Sequence, residues 1–253
     1  VTQFLDACYN AITKQATSIP DTIRAVKDDD LRPLSGKQFV LLLGCGDSYA
    51  VAEYGKWALL MAGINAVSVS PPELLRLPVG PSCAIVGVSA SGRSLVTIEA
   101  LEFAKSLGAT TVALTDNPAG KVAQTAEILW QTRSGIESYN ISPSAPTTAA
   151  LAYLLALASR LPSPVQGKLQ HDCHVLESKV KEIIDWSERQ GIAISKLAKR
   201  GGLLYIISDG PNYVAAQIGM MKLDEFSVVK GLATLKEEFQ HHYNLSIDKD
   251  ERA

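Results

Sequence analysis

Two stretches of uninterrupted apolar residues, each running straight into a small, polar turn, restrict this chain more than any other feature. Gln38-Phe39-Val40-Leu41-Leu42-Leu43 ends in Gly44-Cys45-Gly46-Asp47-Ser48, and Cys83-Ala84-Ile85-Val86-Gly87-Val88 ends in Ser89-Ala90-Ser91-Gly92-Arg93-Ser94. A strand with one wet face alternates apolar and polar residues. A strand that is apolar at every position has to be covered on both faces, which is the condition of a parallel sheet between two helical layers.

The segments between and after these runs keep the same rhythm. A helix is expected over 47–63, a short strand over 66–70 and a helical turn over 72–77. A second helix follows over 94–107, closed by Gly108 in the position helices favour for a C-terminal glycine. Strands follow at 110–115 and 126–130, and an Ala- and Leu-rich helix over 146–161. Strands alternating with helices of this length build right-handed βαβ units, hence an α/β three-layer sandwich with a mostly parallel sheet.

Residues 1–36 form a helical preface, with apolar positions Phe4, Leu5, Cys8, Ile12, Ile19, Ile23 and Val26 and an expected break near Pro20. Residues 37–161 make a first subdomain. Leu161-Pro162-Ser163-Pro164 is the clearest linker, and 162–200 are expected to be connecting helices. A new βα unit opens at Leu203-Leu204-Tyr205-Ile206-Ile207-Ser208-Asp209-Gly210, followed by a helix over 212–229, and it echoes the layout of 41–48. Residues 201–253 are therefore expected to be a second, related subdomain, shortened because about fifty residues are too few to complete a sheet like the first.

Composition narrows the function classes. With 47% hydrophobic and 20% charged residues in 253, the chain buries a large core. Twenty-four basic against twenty-six acidic residues, a formal charge of -2 and no long run of one sign give nothing for a nucleic acid to bind. No run reaches the roughly 18 apolar residues that span a bilayer, and no secretory leader opens the chain, so a soluble cytoplasmic protein without membrane attachment is expected. Cys8, Cys45, Cys83 and Cys173 lack CxxC spacing, and two lie in apolar strand-like surroundings, which suits reduced thiols. His171-Asp172-Cys173-His174 offers ligand atoms without a second pair elsewhere, so no metal site is expected.

Both polar turns fall where a parallel strand ends and a helix begins. There, backbone N–H groups and the helix dipole favour an anion, glycine allows close approach, and serine hydroxyls donate to phosphate oxygens. Neither turn carries GxxxxGK[ST], and Gly44-x-Gly46 lacks the third glycine of a dinucleotide fingerprint, so no nucleotide cofactor is expected. Near the end of the chain, Lys222-Leu223-Asp224-Glu225-Phe226-Ser227 is followed by Glu238-Phe239-Gln240-His241. Lys222 and Glu225 share one helix face, as do Glu238 and His241 if that segment is helical. Taken alone, these residues read better as a surface pair and ordinary exposed histidines.

In company with the two turns they read differently, because the whole pattern resembles the SIS (sugar isomerase) family from about Lys37 to Asp248. The resemblance implies phosphate ligands at Ser48, Ser89, Ser91 and Ser94, with Gly46, Gly92 and Glu238 as secondary substrate contacts. It further implies Glu225 as the base that moves a proton between C1 and C2, His241 as the ring-opening group and Lys222 as a supporting cation. In the family that histidine crosses to the neighbouring subunit, which implies a homodimer. Aminosugar-forming members carry threonine, glutamine and glutamate where this chain has Asp47, Ala90 and Arg93, so Asp47 adds negative charge that Arg93 would offset. Glu137 falls near the family's substrate-lining segment, outside the core site, and His242 has no family role.

The implied activity is isomerisation at C1 and C2 of a hexose-6-phosphate or aminosugar-6-phosphate without metal or cofactor. Fructose-6-phosphate, glucosamine-6-phosphate and loss or gain of ammonia are all within reach. No stretch of the sequence resembles a glutaminase domain, so a glutamine-dependent synthase is not expected unless a separate subunit supplies ammonia. Nothing after Asp248 resembles the family's lysine-bearing tail, so either that lid is missing from this chain or the reaction is expected to do without it. The alternative is a non-catalytic sugar-phosphate sensor on the same fold. Such a sensor needs the serines but neither a base nor a ring opener.

Overall fold

A computed structural model describes residues 2–135, 144–196 and 201–247. The chain divides into two compact units, Val1–Ile184 and Asp185–Ala253. In the first, α1 (Thr2–Ala25) and a 3-10 segment (Asp28–Leu34) precede the alternation β1 (Phe39–Leu43), α2 (Asp47–Met61), β2 (Ala66–Val69), α3 (Pro71–Leu74), β3 (Cys83–Val88), α4 (Leu95–Ser106), β4 (Thr110–Thr115), α5 (Lys121–Thr125), β5 (Ile128–Gln131) and α6 (Ser144–Ala158); α7 (Gln166–Ser195) begins in it and ends in the second. All five strands are parallel, in the order β2-β1-β3-β4-β5. The order reverses between β1 and β3, the point at which open α/β sheets bind ligands.

The apolar strands do what their composition requires. Each face of the sheet has its own core. Val40, Leu42, Val86 and Trp130 pack with α1, α2 and α6 on one side, whereas Leu41, Leu43, Ile85 and Ala113 pack with α4 on the other. Trp130 and Tyr153 are the largest buried side chains and stack at 5.6 Å. A Cβ on Gly55 would sit 2.5 Å from Leu42 Cδ2 and 2.9 Å from Leu154 Cδ1, so glycine there sets how closely α2 approaches its neighbours.

Three expectations change. α1 does not break at Pro20; it continues to Ala25. A proline inside a helix costs on the order of 3 kcal/mol. Here Ile19, Ile23 and Val26 are buried around it, at about 1.5–3 kcal/mol for each full burial, which offsets the lost bond. The connecting helices are one helix, α7, and its first half belongs to the core through Leu169, Cys173 and Val180. The buried thiols are Cys83 on a strand and Cys173 on a helix, while Cys45 is exposed in its turn.

The second unit contains β6 (Leu203–Ser208), α8 (Asn212–Phe226), β7 (Lys230–Leu235) and α9 (Lys236–His241), with β6 and β7 paired in parallel. α8 stops at Phe226 instead of 229 because Ser227 Oγ accepts from Val229 N–H and donates to Val229 O, both at 3.0 Å, turning the chain into β7. Tyr205 anchors the unit, with Phe239 edge-on at 5.3 Å and Tyr243 at 5.9 Å. No described helix is long and apolar enough to cross a membrane.

Candidate functional site

Parallel register sets Leu43 beside Gly87, so the turns that follow β1 and β3 leave the sheet side by side. They meet: Ser94 Oγ approaches Cys45 Sγ at 4.0 Å and accepts a hydrogen bond from Thr97 Oγ1 at 2.9 Å. Gly46, at φ 55°, caps α2, while Ser48 and Tyr49 donate their N–H groups back to Cys45 O and Gly46 O. A Cβ on Gly44 would lie 2.6 Å from the Ser48 carbonyl, so only glycine lets β1 run this close to the helix start.

The second turn has its carbonyls fastened from behind. Ser89 O accepts from Gly92 N–H at 3.1 Å, and Ala90 O from Thr115 Oγ1 and Asp116 N–H at 3.2 and 3.3 Å. Asn117 Nδ2 donates to Ser91 O, and Val122 N–H to Gly92 O, each at 3.0 Å. With the acceptors committed, the amides of Ala90, Ser91 and Ser94 meet no acceptor among the described residues. Ser94 heads α4 without a side-chain cap, so the first-turn amides there are not capped by its hydroxyl. Ser89 is buried at the base, Ser48, Ser91 and Ser94 are half-buried, and Gly92 holds φ 67°. A cradle of free N–H groups and hydroxyls at a helix start binds an oxyanion.

Sequence reasoning missed the frame behind this cradle. Thr115, Asp116, Asn117 and Gly120 carry no motif; they are brought there by β4 pairing with β3. Gly92 and Gly120 stand back to back, and a Cβ on Gly120 would be 2.8 Å from Gly92 Cα. Thr147 was missed as well. Its hydroxyl, buried in the first turn of α6, donates to Asp47 Oδ2 at 2.9 Å. The carboxylate also lies in the first turn of α2, where the helix dipole stabilises it.

Beside the first turn, burial pushes the Tyr49 phenol up, with the Glu53 and Glu73 carboxylates adding to the effect. Glu53 itself takes Lys56 Nζ at 2.8 Å and the Ser68 hydroxyl. Hydrogen bonds from the Ser70 hydroxyl and amide hold Glu73 below the usual carboxylate range.

In the second unit the pairing is local. Lys222 Nζ donates to Glu225 Oε2 at 2.7 Å across one turn of α8 and lies 5.6 Å from the Phe226 ring. On α9 the partners are not Glu238 and His241. Instead His241 faces Glu237 at 3.8 Å, and Glu238 faces His242 at 3.7 Å, both at four-residue spacing. Both histidines are exposed, and His242 stacks on Tyr243 at 4.5 Å. Asp224 serves the fold, accepting Gly231 N–H at 2.9 Å. Glu137 lies outside the described residues.

No group of three His, Cys, Asp or Glu side chains among the described residues is arranged to hold a metal ion. In the run from His171 to His174, Asp172 pairs with Lys168 at 2.9 Å and Cys173 turns into the core.

Known proteins share both the sequence and the architecture. The chain is 28% identical over 245 residues to glutamine–fructose-6-phosphate aminotransferase of Aquifex aeolicus, covering 94% of this chain and 41% of that protein. It is 26% identical over 169 residues to fructoselysine 6-phosphate deglycase of Escherichia coli, covering 63% of this chain and 46% of the relative. The chain thus spans less than half the length of these curated relatives. The solved C-terminal domain of glucosamine-fructose-6-phosphate aminotransferase from Francisella tularensis superimposes with a TM-score of 0.83 at 18% identity, over 97% of this chain and 74% of that one, a likeness of fold. The SIS domain model matches residues 34–160, half of the chain, and on that match the chain belongs to the SIS domain family.

Proposed function

We propose that this protein is a sugar-phosphate isomerase of the SIS family, acting at C1 and C2 of a hexose-6-phosphate or aminosugar-6-phosphate. The observation that carries the reading is the cradle itself: two strand-end turns in contact at the switch point of a parallel sheet, the carbonyls of the second tied back and its Ala90, Ser91 and Ser94 amides without an acceptor among the described residues. Relatives whose names specify fructose-6-phosphate and fructoselysine 6-phosphate support a phosphorylated ketose or its amino derivative as ligand.

On this reading residues 37–161 hold the phosphate through Ser48, Ser89, Ser91 and Ser94, with Gly46 and Gly92 allowing the close approach. Residues 201–253 carry the proton chemistry. His241 of a second copy shuttles the proton from the anomeric hydroxyl to the ring oxygen as the ring C–O bond breaks. Glu225 takes the proton from the carbon beside the carbonyl, leaving an enediol or enolamine, and returns it to the neighbouring carbon. Lys222 stabilises the oxyanion that develops between the two steps. Glu238 supports the sugar or its loop, and the working form is a homodimer.

The test is turnover. Glucosamine-6-phosphate and fructose-6-phosphate are each incubated with the protein, with and without ammonia, while hexose phosphates and ammonia are followed. Glu225→Gln should lose turnover by about 10²–10⁴-fold with binding retained. Tight binding of both sugars without turnover by the natural protein would make it a sensor, and undiminished turnover in the variant would remove Glu225 as the base.

A further inference from the structure

Lys14, Ser18 and Thr22 recur every four residues along α1 and so form one stripe of that helix. The stripe faces the segment that leaves β5. Thr22 Oγ1 accepts Arg133 N–H at 2.9 Å. Ser18 is fully buried, with its hydroxyl unpartnered among the described residues. A Cβ on Gly135 would lie 3.1 Å from Lys14 Cε and 3.5 Å from its Nζ. Moving from residue 133 to 135 goes with moving from 22 back to 14, so α1 runs against β5 and carries Lys14 past the carboxyl end of the sheet.

Asp116 draws that segment inward. Its carboxylate takes Ser134 N–H at 2.7 Å, Thr132 Oγ1 at 2.8 Å and Ser134 Oγ at 2.6 Å, which holds residues 132–134 against the end of β4. Lys14 therefore stands on the same edge of the sheet as the two anion turns. It is half-buried, yet its ammonium enters no ion pair and no hydrogen bond among the described residues. Ammonium groups removed from water without a counter-ion are unfavourable, and a bound anion relieves the cost.

Spacing identifies what such an anion would belong to. Adjacent strands lie about 4.8 Å apart, so the ends of β4 and β5 are between about 7 and 12 Å from the crevice of β1 and β3. With carbon–carbon bonds of about 1.5 Å, an extended six-carbon phosphate spans roughly 9 Å from phosphorus to C1. We propose that Lys14 is a specificity residue that binds a carboxylate at the end of the ligand remote from its phosphate, so that the preferred ligands are phosphosugars bearing a second, carboxylate charge. This rests on the reading of the two turns as a phosphate site.

The experiment compares 6-phosphogluconate with sorbitol 6-phosphate, which differ at C1 by a carboxylate against a hydroxymethyl group, and uses inorganic phosphate as a third probe. Binding is measured calorimetrically to the natural protein, Lys14→Gln and Lys14→Arg. The natural protein should prefer 6-phosphogluconate by about tenfold, as a charge-assisted contact gives. Lys14→Gln should bring the ratio close to one without weakening inorganic phosphate, and Lys14→Arg should restore part of it. Binding of both sugars with no preference, or a preference that survives Lys14→Gln, overturns the proposal while leaving the phosphate site standing. Failure of all three compounds to bind removes the phosphate reading and this proposal with it.

Discussion

Gly120→Ala isolates the phosphate turn from its own side chains. Gly120 has φ -69° and ψ 153°, values any residue adopts, so alanine adds no backbone strain. What it adds is a methyl group 2.8 Å from Gly92 Cα, 3.0 Å from Gly92 O and 3.1 Å from Asn117 O. All three contacts are backbone, which cannot rotate aside, and overpacking of this kind costs about 1–3 kcal/mol. Relief requires moving Gly92, and with it the amides of Ala90, Ser91 and Ser94. A tenfold loss of phosphate affinity is expected. At phosphate one hundred times the natural Kd, ligand stabilises the natural protein by about 2.7 kcal/mol; the variant at the same concentration gains about 1.4 kcal/mol. Denaturant melts with and without phosphate read that difference directly. Gly36→Ala is the control, since Gly36 has φ 70° with nothing within 4 Å of a Cβ. It carries the backbone cost of about 1–2 kcal/mol and should leave the phosphate increment unchanged. A full 2.7 kcal/mol increment in Gly120→Ala, or an equal loss in Gly36→Ala, would show that the turn does not hold the anion.

Two further outcomes follow from partly buried groups. Burial, with the nearby Cys173 thiol and the Asp172 carboxylate adding to it, pushes the Tyr54 phenol up from 10.0 to about 12. A raised folded pKa stabilises fully below the unfolded value, so this contribution is intact below pH 10 and is lost as pH rises toward 12. It is worth at most about 3 kcal/mol for a group that is only half-buried. Tyr54→Phe should flatten the fall in stability between pH 10 and 12, and an unchanged slope in denaturant melts would refute it. Asp116→Asn leaves at least one of three short bonds without an acceptor. It should destabilise by about 1.5–3 kcal/mol, with a protein as stable as the natural one by calorimetry counting against the clamp.

The apolar runs at 38–43 and 83–88 made the parallel sheet readable, because covering both faces of a strand is a demand of composition alone. The turns at their ends were readable for the same reason, since a strand that must feed a helix leaves few choices. β7 was not. Lys230 and Gly231 dilute its pattern, and Gly231 is glycine because a Cβ would lie 2.8 Å from Met220 Cα, a contact with no trace in local sequence. The frame of Thr115, Asn117 and Thr147 was hidden likewise, because each is placed by the register of distant elements. Pro20 misled in the other direction, since burial on α1 outweighs its local preference.

The two halves of the proposed chemistry differ in how they are held, and the difference bears on mechanism. The serine turns are fixed by backbone bonds and glycine packing within a buried sheet, so they are shaped before any ligand arrives. Glu225 and His241 sit on exposed helix faces, 46% and 78% open to solvent, in pairs worth less than about 1 kcal/mol. A carboxylate open to water is a poor base for a carbon acid, since hydration stabilises its charge. On the proposed reading, therefore, the ligand and a second copy must provide the cover that the described side chains do not. Exclusion of water from Glu225 is thereby assigned to the bound sugar and the neighbouring copy. Catalysis should accordingly fall faster than phosphate binding when the protein is diluted below the dissociation constant of the dimer, because on the proposed reading the cradle needs one copy and the proton site needs two.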